Sequence, residues 1–517
     1  MRKALVLSSL LLLNACADAP KRRLPRDGDT APPQATQPYD LPAERTLTLT
    51  NYSPGQPTGF RATTQMTFGQ LETYQIVLTI PQAFTFNGFD ALGPAGSRVG
   101  SYGFDFDNST PGVPDRVLPL RSVNATQIYA DTDLSGAYEA DTDAVIDYSQ
   151  AQNGDHLLTA TIPLGGDGSA GTITAFFDSG IILSLFSGFL TNPGTAGDYV
   201  VTADFTSVDP DTDGANDNAG EGPEMLQVQQ TLSIANSPLR AAVLPTSRSV
   251  VFGQPATAFA TISNSGASVL NGCGISPASS LTATLSYQTT DPSTNALTGS
   301  IDTPVSIPAG GSQSFLIALT PIEETFFGDA QAFPPIEVEF LFSCTGATPA
   351  PTYPGVNTLL LSADTTQAID VIAITASASG DGYVRLGDAD GVAAFGVAGL
   401  DIGAAGTVTV QPRAGLATTA SSPELSAPQS AQTVDASVLI CETTNSIAGT
   451  CLAAPSASVQ SAFASNDVRT YSIFVQGNGS EIADNPANNR IFVDFIDSQG
   501  DNRGMTSIAV TTVSPPD

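Results

Sequence analysis

From Thr46 to the C-terminus the chain alternates apolar and polar residues in short runs. Thr46-Leu-Thr-Leu-Thr, Tyr74-Gln-Ile-Val-Leu-Thr-Ile, His156-Leu-Leu-Thr-Ala-Thr-Ile and Tyr199-Val-Val-Thr-Ala-Asp-Phe come first. Thr282-Ala-Thr-Leu-Ser-Tyr, Glu337-Val-Glu-Phe-Leu-Phe, Thr407-Val-Thr-Val and Arg490-Ile-Phe-Val-Asp-Phe-Ile follow. A period of two in Thr, Val, Ile and aromatics predicts half-buried strands, because successive side chains point to opposite faces of a sheet. Gly, Pro, Asn and Asp punctuate these runs at loop-like intervals, drawing on 47 glycines and 37 prolines. No stretch keeps a helical period for longer than two turns. The prediction is an all-β chain of tandem β-sandwiches. One longer apolar run, Ile181 to Leu190, contains Ser184, Ser187 and Gly188 and is too short to span a bilayer, so it reads as a buried strand or a short helix capping a sandwich.

The first 44 residues have a different texture. Arg2 and Lys3 precede an apolar run from Ala4 to Leu13, the layout of a secretory signal. That run has about half the length a membrane-spanning helix needs. It ends in Leu13-Asn14-Ala15-Cys16, which resembles the lipobox of bacterial lipoproteins. The resemblance implies removal of residues 1–15 and a lipid on Cys16, anchoring the chain to a membrane. In that family an Asp after the lipidated Cys favours the inner membrane; Ala17 stands here, which implies the outer membrane, on its periplasmic or cell-surface face. Residues 16–44 hold Lys21-Arg22-Arg23 and many Pro, Gln, Asp and Thr, and are predicted to form a disordered tether. The basic cluster is placed to meet anionic headgroups beside the lipid.

Polar linkers at Asn236–Arg240 and Asp364–Asp370 divide the rest into residues 45–237, 238–365 and 366–517, each large enough for one core. The second piece carries Phe252-Gly253, then Ala256-Thr-Ala-Phe-Ala-Thr-Ile-Ser-Asn264-Ser-Gly266, then Ile307-Pro-Ala-Gly-Gly-Ser-Gln-Ser-Phe-Leu-Ile. This resembles bacterial immunoglobulin-like modules of the CARDB type, found in cell-surface and adhesion-related proteins. A fainter version runs from Ala393 to Gly403 in the third piece. The resemblance implies immunoglobulin-like sandwiches over about half the chain.

Composition sharpens the exclusions. The formal net charge is −32, although charged residues make up only 13 % of the chain. From Asp27 onward 12 arginines stand against 49 acids, a formal charge of −37, and no lysine follows Lys21. Such a body repels nucleic-acid phosphates and anionic lipid, so nucleic acid is excluded as a partner. It suits divalent cations or a salty exterior. Apart from Cys16 there are four cysteines, Cys273, Cys344, Cys441 and Cys451, an even number in an exported chain. They allow three pairings, of which membership of the same piece favours Cys273–Cys344 and Cys441–Cys451. None has the CxxC spacing of zinc or redox sites.

Calcium is the predicted cofactor. In Asp131-Thr-Asp133-Leu-Ser135-Gly-Ala137-Tyr-Glu139-Ala-Asp141-Thr-Asp143, oxygens at positions 1, 3, 5 and 9 with Gly at 6 follow the calcium-loop pattern. The Ala137 carbonyl supplies position 7. Thr142 stands where a bidentate Glu is expected, so Asp141 or Asp143 must serve through an altered loop. Asp105 with Asp107, and Asp209, Asp211, Asp213 and Asp217, form weaker acidic clusters in the same piece. Catalysis has little support. The single histidine, His156, opens an alternating strand and reads as a surface residue; no Gly-x-Ser-x-Gly elbow occurs. With no Trp, the usual platform for sugar rings is missing. The leading expectation is a non-enzymatic, lipid-anchored envelope protein that contacts extracellular protein or polysaccharide in adhesion, matrix or scaffolding. A carboxylate-based glycoside hydrolase or sugar-binding protein and a passive spacer are the alternatives.

Overall fold

In a computed structural model the described residues are 46–66, 73–92, 94–105, 116–130, 138, 144–163, 179–208, 225–278, 283–322, 325–326, 329–330, 333–415, 434–444 and 449–513. Strands dominate them, as the period-two pattern predicts, and the helical element among them is a single 3-10 turn at Phe89–Leu92. The chain is all-β, built as tandem sandwiches.

The first twelve strands are β1 (Thr46–Leu49), β2 (Pro57–Met66), β3 (Thr73–Ile80), β4 (Thr85–Phe86), β5 (Arg98–Asp105) and β6 (Arg116–Asn124), then β7 (Gln127–Ala130), β8 (Ala144–Gln150), β9 (His156–Pro163), β10 (Ser179–Thr191), β11 (Gly197–Val208) and β12 (Met225–Ile234). They form one continuous antiparallel sheet in the order β1-β2-β10-β5-β6-β7-β8-β9-β3-β11-β12, with β4 paired to β10 beside that path. Its sandwich character comes from one sheet curling round a single apolar cluster that includes Phe60, Phe89, Leu118, Ile128, Phe189 and Ile234. Burying each such side chain contributes roughly 1.5–3 kcal/mol. Curling brings the edge strands together, and the Gln230 amide on β12 closes the seam. Its Oε1 accepts the Leu47 N–H at 2.6 Å while its Nε2 donates to the Leu47 carbonyl, so a side chain replaces a ladder rung and blunts two exposed edges. The apolar run Ile181–Leu190 lies in β10, an interior strand paired with β2 and β5, and its residues Leu183, Leu185, Phe189 and Leu190 are buried. Neighbours on both sides make it a strand rather than a capping helix.

The next strands are β13 (Leu239–Leu244), β14 (Ser247–Val251), β15 (Ala256–Asn264), β16 (Leu270–Pro277), β17 (Ala283–Thr290) and β18 (Val305–Ile307), followed by β19 (Ser312–Pro321), a small hairpin β20 (Thr325–Phe326) and β21 (Asp329–Ala330), β22 (Phe333–Ser343) and β23 (Thr358–Asp364). One sheet has the order β13-β15-β19-β17 and faces a second, β14-β23-β22-β16-β18. The last strands are β24 (Val371–Ala376), β25 (Tyr383–Arg385), β26 (Val392–Asp401), β27 (Gly406–Ala414), β28 (Ala436–Thr443), β29 (Val459–Phe463), β30 (Val468–Gly477), β31 (Arg490–Ile496) and β32 (Asn502–Thr511). Their sheets run β24-β26-β30-β28 and β25-β32-β31-β27-β29. Apart from the β20–β21 hairpin, the two sandwiches match strand for strand. Even the short parallel pairing of the second strand with the last is repeated, β14 with β23 and β25 with β32. Each closes on its own apolar cluster, around Phe315, Ile317 and Phe342 in one and Tyr471, Ile473 and Phe495 in the other.

Both disulfides are formed, Cys273–Cys344 and Cys441–Cys451. The first joins β16 to the residue after β22 across 71 positions. The second spans 10 positions and closes a turn in which Thr444 and Leu452 donate to the carbonyls of Thr450 and Glu442.

Candidate functional site

The strand register decides where the acidic segments go. Phe104 on β5 lies opposite Arg116 on β6, Ala130 on β7 opposite Ala144 on β8, and Thr206 on β11 opposite Met225 on β12. Connections 106–115, 131–143 and 209–224 therefore each join antiparallel neighbours. Across the sheet, Leu120 faces Ala130, Val145 faces Thr161, Thr73 faces Pro163 and Val208 faces Thr73. Following these pairings strand by strand, all three connections leave the same end of the first sheet. They carry thirteen acids and no lysine or arginine. Asp105, the last residue of β5, sits at that end too. Oxygen-rich loops brought to one end suit a hard divalent cation, which also relieves their mutual repulsion.

Of the residues singled out for calcium, Asp131, Asp133, Ser135, Ala137, Glu139, Asp141, Asp143, Asp107, Asp209, Asp211, Asp213 and Asp217 lie outside the described residues, as does Cys16. Tyr138, within the 131–143 connection, is exposed, and its ring centroid lies 5.5 Å from that of buried Tyr129 on β7. Among the described residues no group of three or more His, Cys, Asp or Glu is arranged to hold a metal ion, and no helix is long and apolar enough to cross a membrane.

His156 departs from its expected surface position. It is 7 % exposed, its Nε2 lies 2.9 Å from the Phe84 carbonyl and its Nδ1 3.0 Å from the Tyr148 hydroxyl. Both ring nitrogens have partners, which lets β9 begin inside the core; the ring ties β8 and β9 to the Phe84 segment.

A second concentration of charge lies between the second and third sandwiches, where Leu360, Phe492 and Met505 form an apolar contact. Around it Thr246 donates to the Met505 carbonyl at 2.7 Å, Ser247 Oγ accepts the Met505 N–H at 2.7 Å, and Ser507 donates to the Gly355 carbonyl at 2.9 Å. Gly355 has φ +66°, and a Cβ there would run into the Phe492 ring, so only glycine fits. Glu337 is buried here, accepts from the Thr358 hydroxyl and lies near Arg413 and Asp494. Desolvation pushes its carboxyl up to about 7, against the opposing pull of Thr358, the Gly355 amide and Arg413. Arg413 is paired with Asp494 at 2.6 Å and stacked 4.3 Å over Phe492. Arg503, 3 % exposed, reaches Asp497 at 2.8 Å, Asp501 at 2.9 Å and Asp364 at 3.5 Å. Glu337 and Asp494 are buried at this junction, whereas Asp364 and Asp501 remain partly exposed.

Fold and junction define a class, an all-β chain of tandem sandwiches joined by buried polar bridges. No family model and no curated protein matches the chain. Among solved structures it aligns with the secreted serine protease VesC from Vibrio cholerae at 8 % identity and a TM-score of 0.15, covering 79 % of this chain and 97 % of that one. A protein from Corynebacterium diphtheriae provisionally described as membrane anchored aligns at 10 % identity and a TM-score of 0.15, covering 91 % and 92 %. Domains 1–6 of the surface layer protein SbsC align at 11 % identity and a TM-score of 0.14, covering 82 % and 41 %. TM-scores this low define no shared fold and carry no functional inference.

Proposed function

We propose that the chain is a lipid-anchored protein of the bacterial outer membrane with a non-catalytic role in adhesion, matrix contact or scaffolding, and that calcium sets its first region. The gathering of the three acidic connections at one end of the first sheet is the observation that supports this reading most. Calcium binding the folded loops and not the unfolded chain stabilises the fold by mass action. Packed sandwiches farther along the chain supply a stiff body suited to presenting that end to a protein or polysaccharide. The lipid on Cys16 holds the body to the membrane through the 16–44 tether.

Melting the full-length chain with excess calcium and then with chelator tests the ion site. Calcium at a hundredfold excess over its dissociation constant contributes about 2.7 kcal/mol, so the midpoint of the first region's transition rises by a few degrees. Identical melts reduce the loops to solvated turns. Replacing Cys16 with Ser moves the protein from the membrane fraction to the soluble fraction, and retention in the membrane removes the anchor.

A further inference from the structure

The matching topology of the second and third sandwiches makes their corresponding turns comparable atom by atom. Asn264 ends β15 and Asp401 ends β26. In each case the next residue but one donates to the side-chain Oδ1: Gly266 at 2.9 Å and Gly403 at 2.9 Å. The following residue donates to the residue before the sandwich's first strand, Ser265 to the Pro238 carbonyl at 2.8 Å and Ile402 to the Asp370 carbonyl at 2.9 Å. The backbone amide of each donates to a matching turn, Asn264 to the Gly311 carbonyl at 2.9 Å and Asp401 to the Asp467 carbonyl at 3.1 Å. The two positions are structurally the same.

Their second side-chain atom is not. Asn264 Nδ2 donates to the carbonyls of Ser268 at 2.8 Å, Ile307 at 3.1 Å and Pro308 at 3.1 Å. Asp401 puts an oxygen there. That Oδ2 is buried without a hydrogen-bond partner in a residue 0 % exposed. The turn after β29 repeats the one after β18, with Asp467 donating to the Ala464 carbonyl as Gly311 does to Pro308, so the correspondence assigns the carbonyls of Phe463 and Ala464 to the place facing Oδ2. An ionised carboxylate aimed at carbonyl oxygens in a desolvated site is repelled; a carboxylic acid donates to them.

We propose that Asp401 is a neutral carboxylic acid in the folded protein, and that its proton closes the hinge between the second and third sandwiches. The hinge residue is Asp370, buried in the linker before β24. Its side chain grips the second sandwich, taking Arg248 Nε at 3.0 Å and the Ser249 N–H at 2.9 Å. Its own N–H donates to Asp401 Oδ1 at 3.1 Å. Proton loss from Asp401 sets a second negative charge against the Asp370 carboxylate and weakens that grip.

The charged groups around Asp401 do not offset this. Asp370 and Asp467 are both acidic and both raise its affinity for a proton or have theirs raised by it. The two nearby cations are committed elsewhere, Arg248 to Asp370 and Arg469 to Asp467 at 2.8 Å. Burial, the largest influence on Asp401, acts in the same direction. Because the folded affinity is raised, the stability this group contributes is full below the ordinary aspartate value of 3.8 and is lost as pH rises through the higher folded value.

The test compares full-length wild type with D401N, which keeps the shape and restores the donor present at Asn264. Thermal melts run from about pH 3 to about pH 9 give the protons taken up on folding through the pH slope. Wild type takes up about one proton more than D401N within this range, and the two curves converge at the acid end. At the alkaline end D401N melts higher, and the Ser249 and Ile402 amides exchange more slowly than in wild type at the same pH. Infrared spectra of wild type at neutral pH show a carboxylic-acid carbonyl stretch that persists in E337Q and is lost in D401N. Parallel pH slopes, or a spectrum unchanged by D401N, overturn the proposal and leave Asp401 an ionised turn residue. Where D401N fails to fold, absence of that stretch from the E337Q spectrum overturns the proposal.

Discussion

The second and third sandwiches share a strand order yet are secured differently. In the second, the long-range Cys273–Cys344 bridge ties β16 to the end of β22, and the turn after β15 is satisfied by a neutral amide, Asn264. In the third, the disulfide is local, the turn after β26 carries a carboxyl, and arginines do the cross-linking: Arg413 to Asp494, partly exposed Arg469 to Glu442 and Asp467, and buried Arg503 to Asp497 and Asp501. The topology follows from apolar alternation and is repeated. The polar devices that finish each sandwich were settled separately, and the second leans more on its long disulfide and the third more on ion pairs.

Arg413→Ala separates the two sandwiches most strongly. It removes the partner of Asp494, which is 6 % exposed, and strips Glu337 of the cation that favours its charged form. Breaking one side of a buried ion pair costs about 3–5 kcal/mol, because the remaining charge stays buried. Chemical unfolding of the full chain should show the third sandwich's transition shifted by that amount and the second sandwich's, which carries Glu337 on β22, shifted by less. The loss is smaller at acid pH. Glu337 is protonated there, since its stability contribution is full below 4.5 and lost as pH rises through about 7. An equal shift in both sandwiches would mean that they unfold as one unit and that the comparison is one of sequence only.

Much of this architecture was legible in the residues. The alternation from Thr46 onward marked out strands, and Asn264-Ser-Gly266 marked the turn that the third sandwich repeats as Asp401-Ile-Gly403. Sequence pattern reports only which face of a strand a side chain takes, not what covers that face. Glu337 and Glu339 alternate with core Val338 and Phe340, so the pattern assigns both to water; both are buried, Glu337 beside Arg413 of the third sandwich. His156 fails for a related reason, because the Phe84 carbonyl and the Tyr148 hydroxyl that allow its burial lie 72 and 8 positions away. The acidic connections were legible as loops, whereas their departure from one end of the sheet needed the register of β5 through β12. Nothing in the chain before Asp401 distinguishes a neutral carboxyl from an ionised one; the comparison with Asn264 does.

The two disulfides separate the sandwiches by less. In the chain-entropy account a bridge stabilises by shortening the unfolded chain's freedom, about 4 kcal/mol for 71 positions and about 3 kcal/mol for 10. Exchanging both cysteines of one bridge for serine at a time, in the full-length chain, should lower the second sandwich's transition more than the third's. The unrounded difference of about 1.7 kcal/mol corresponds to several degrees in midpoint for domains of this size. Cys273 is 0 % exposed and Cys344 5 %, so C273S/C344S also leaves two hydroxyls in an apolar cluster and widens the gap. Alanine in place of serine removes that extra cost and isolates the entropy. If the alanine pairs lower both transitions equally, loop length is not what the bridges act through, and the second sandwich's reliance on its long staple reduces to packing around two sulfurs.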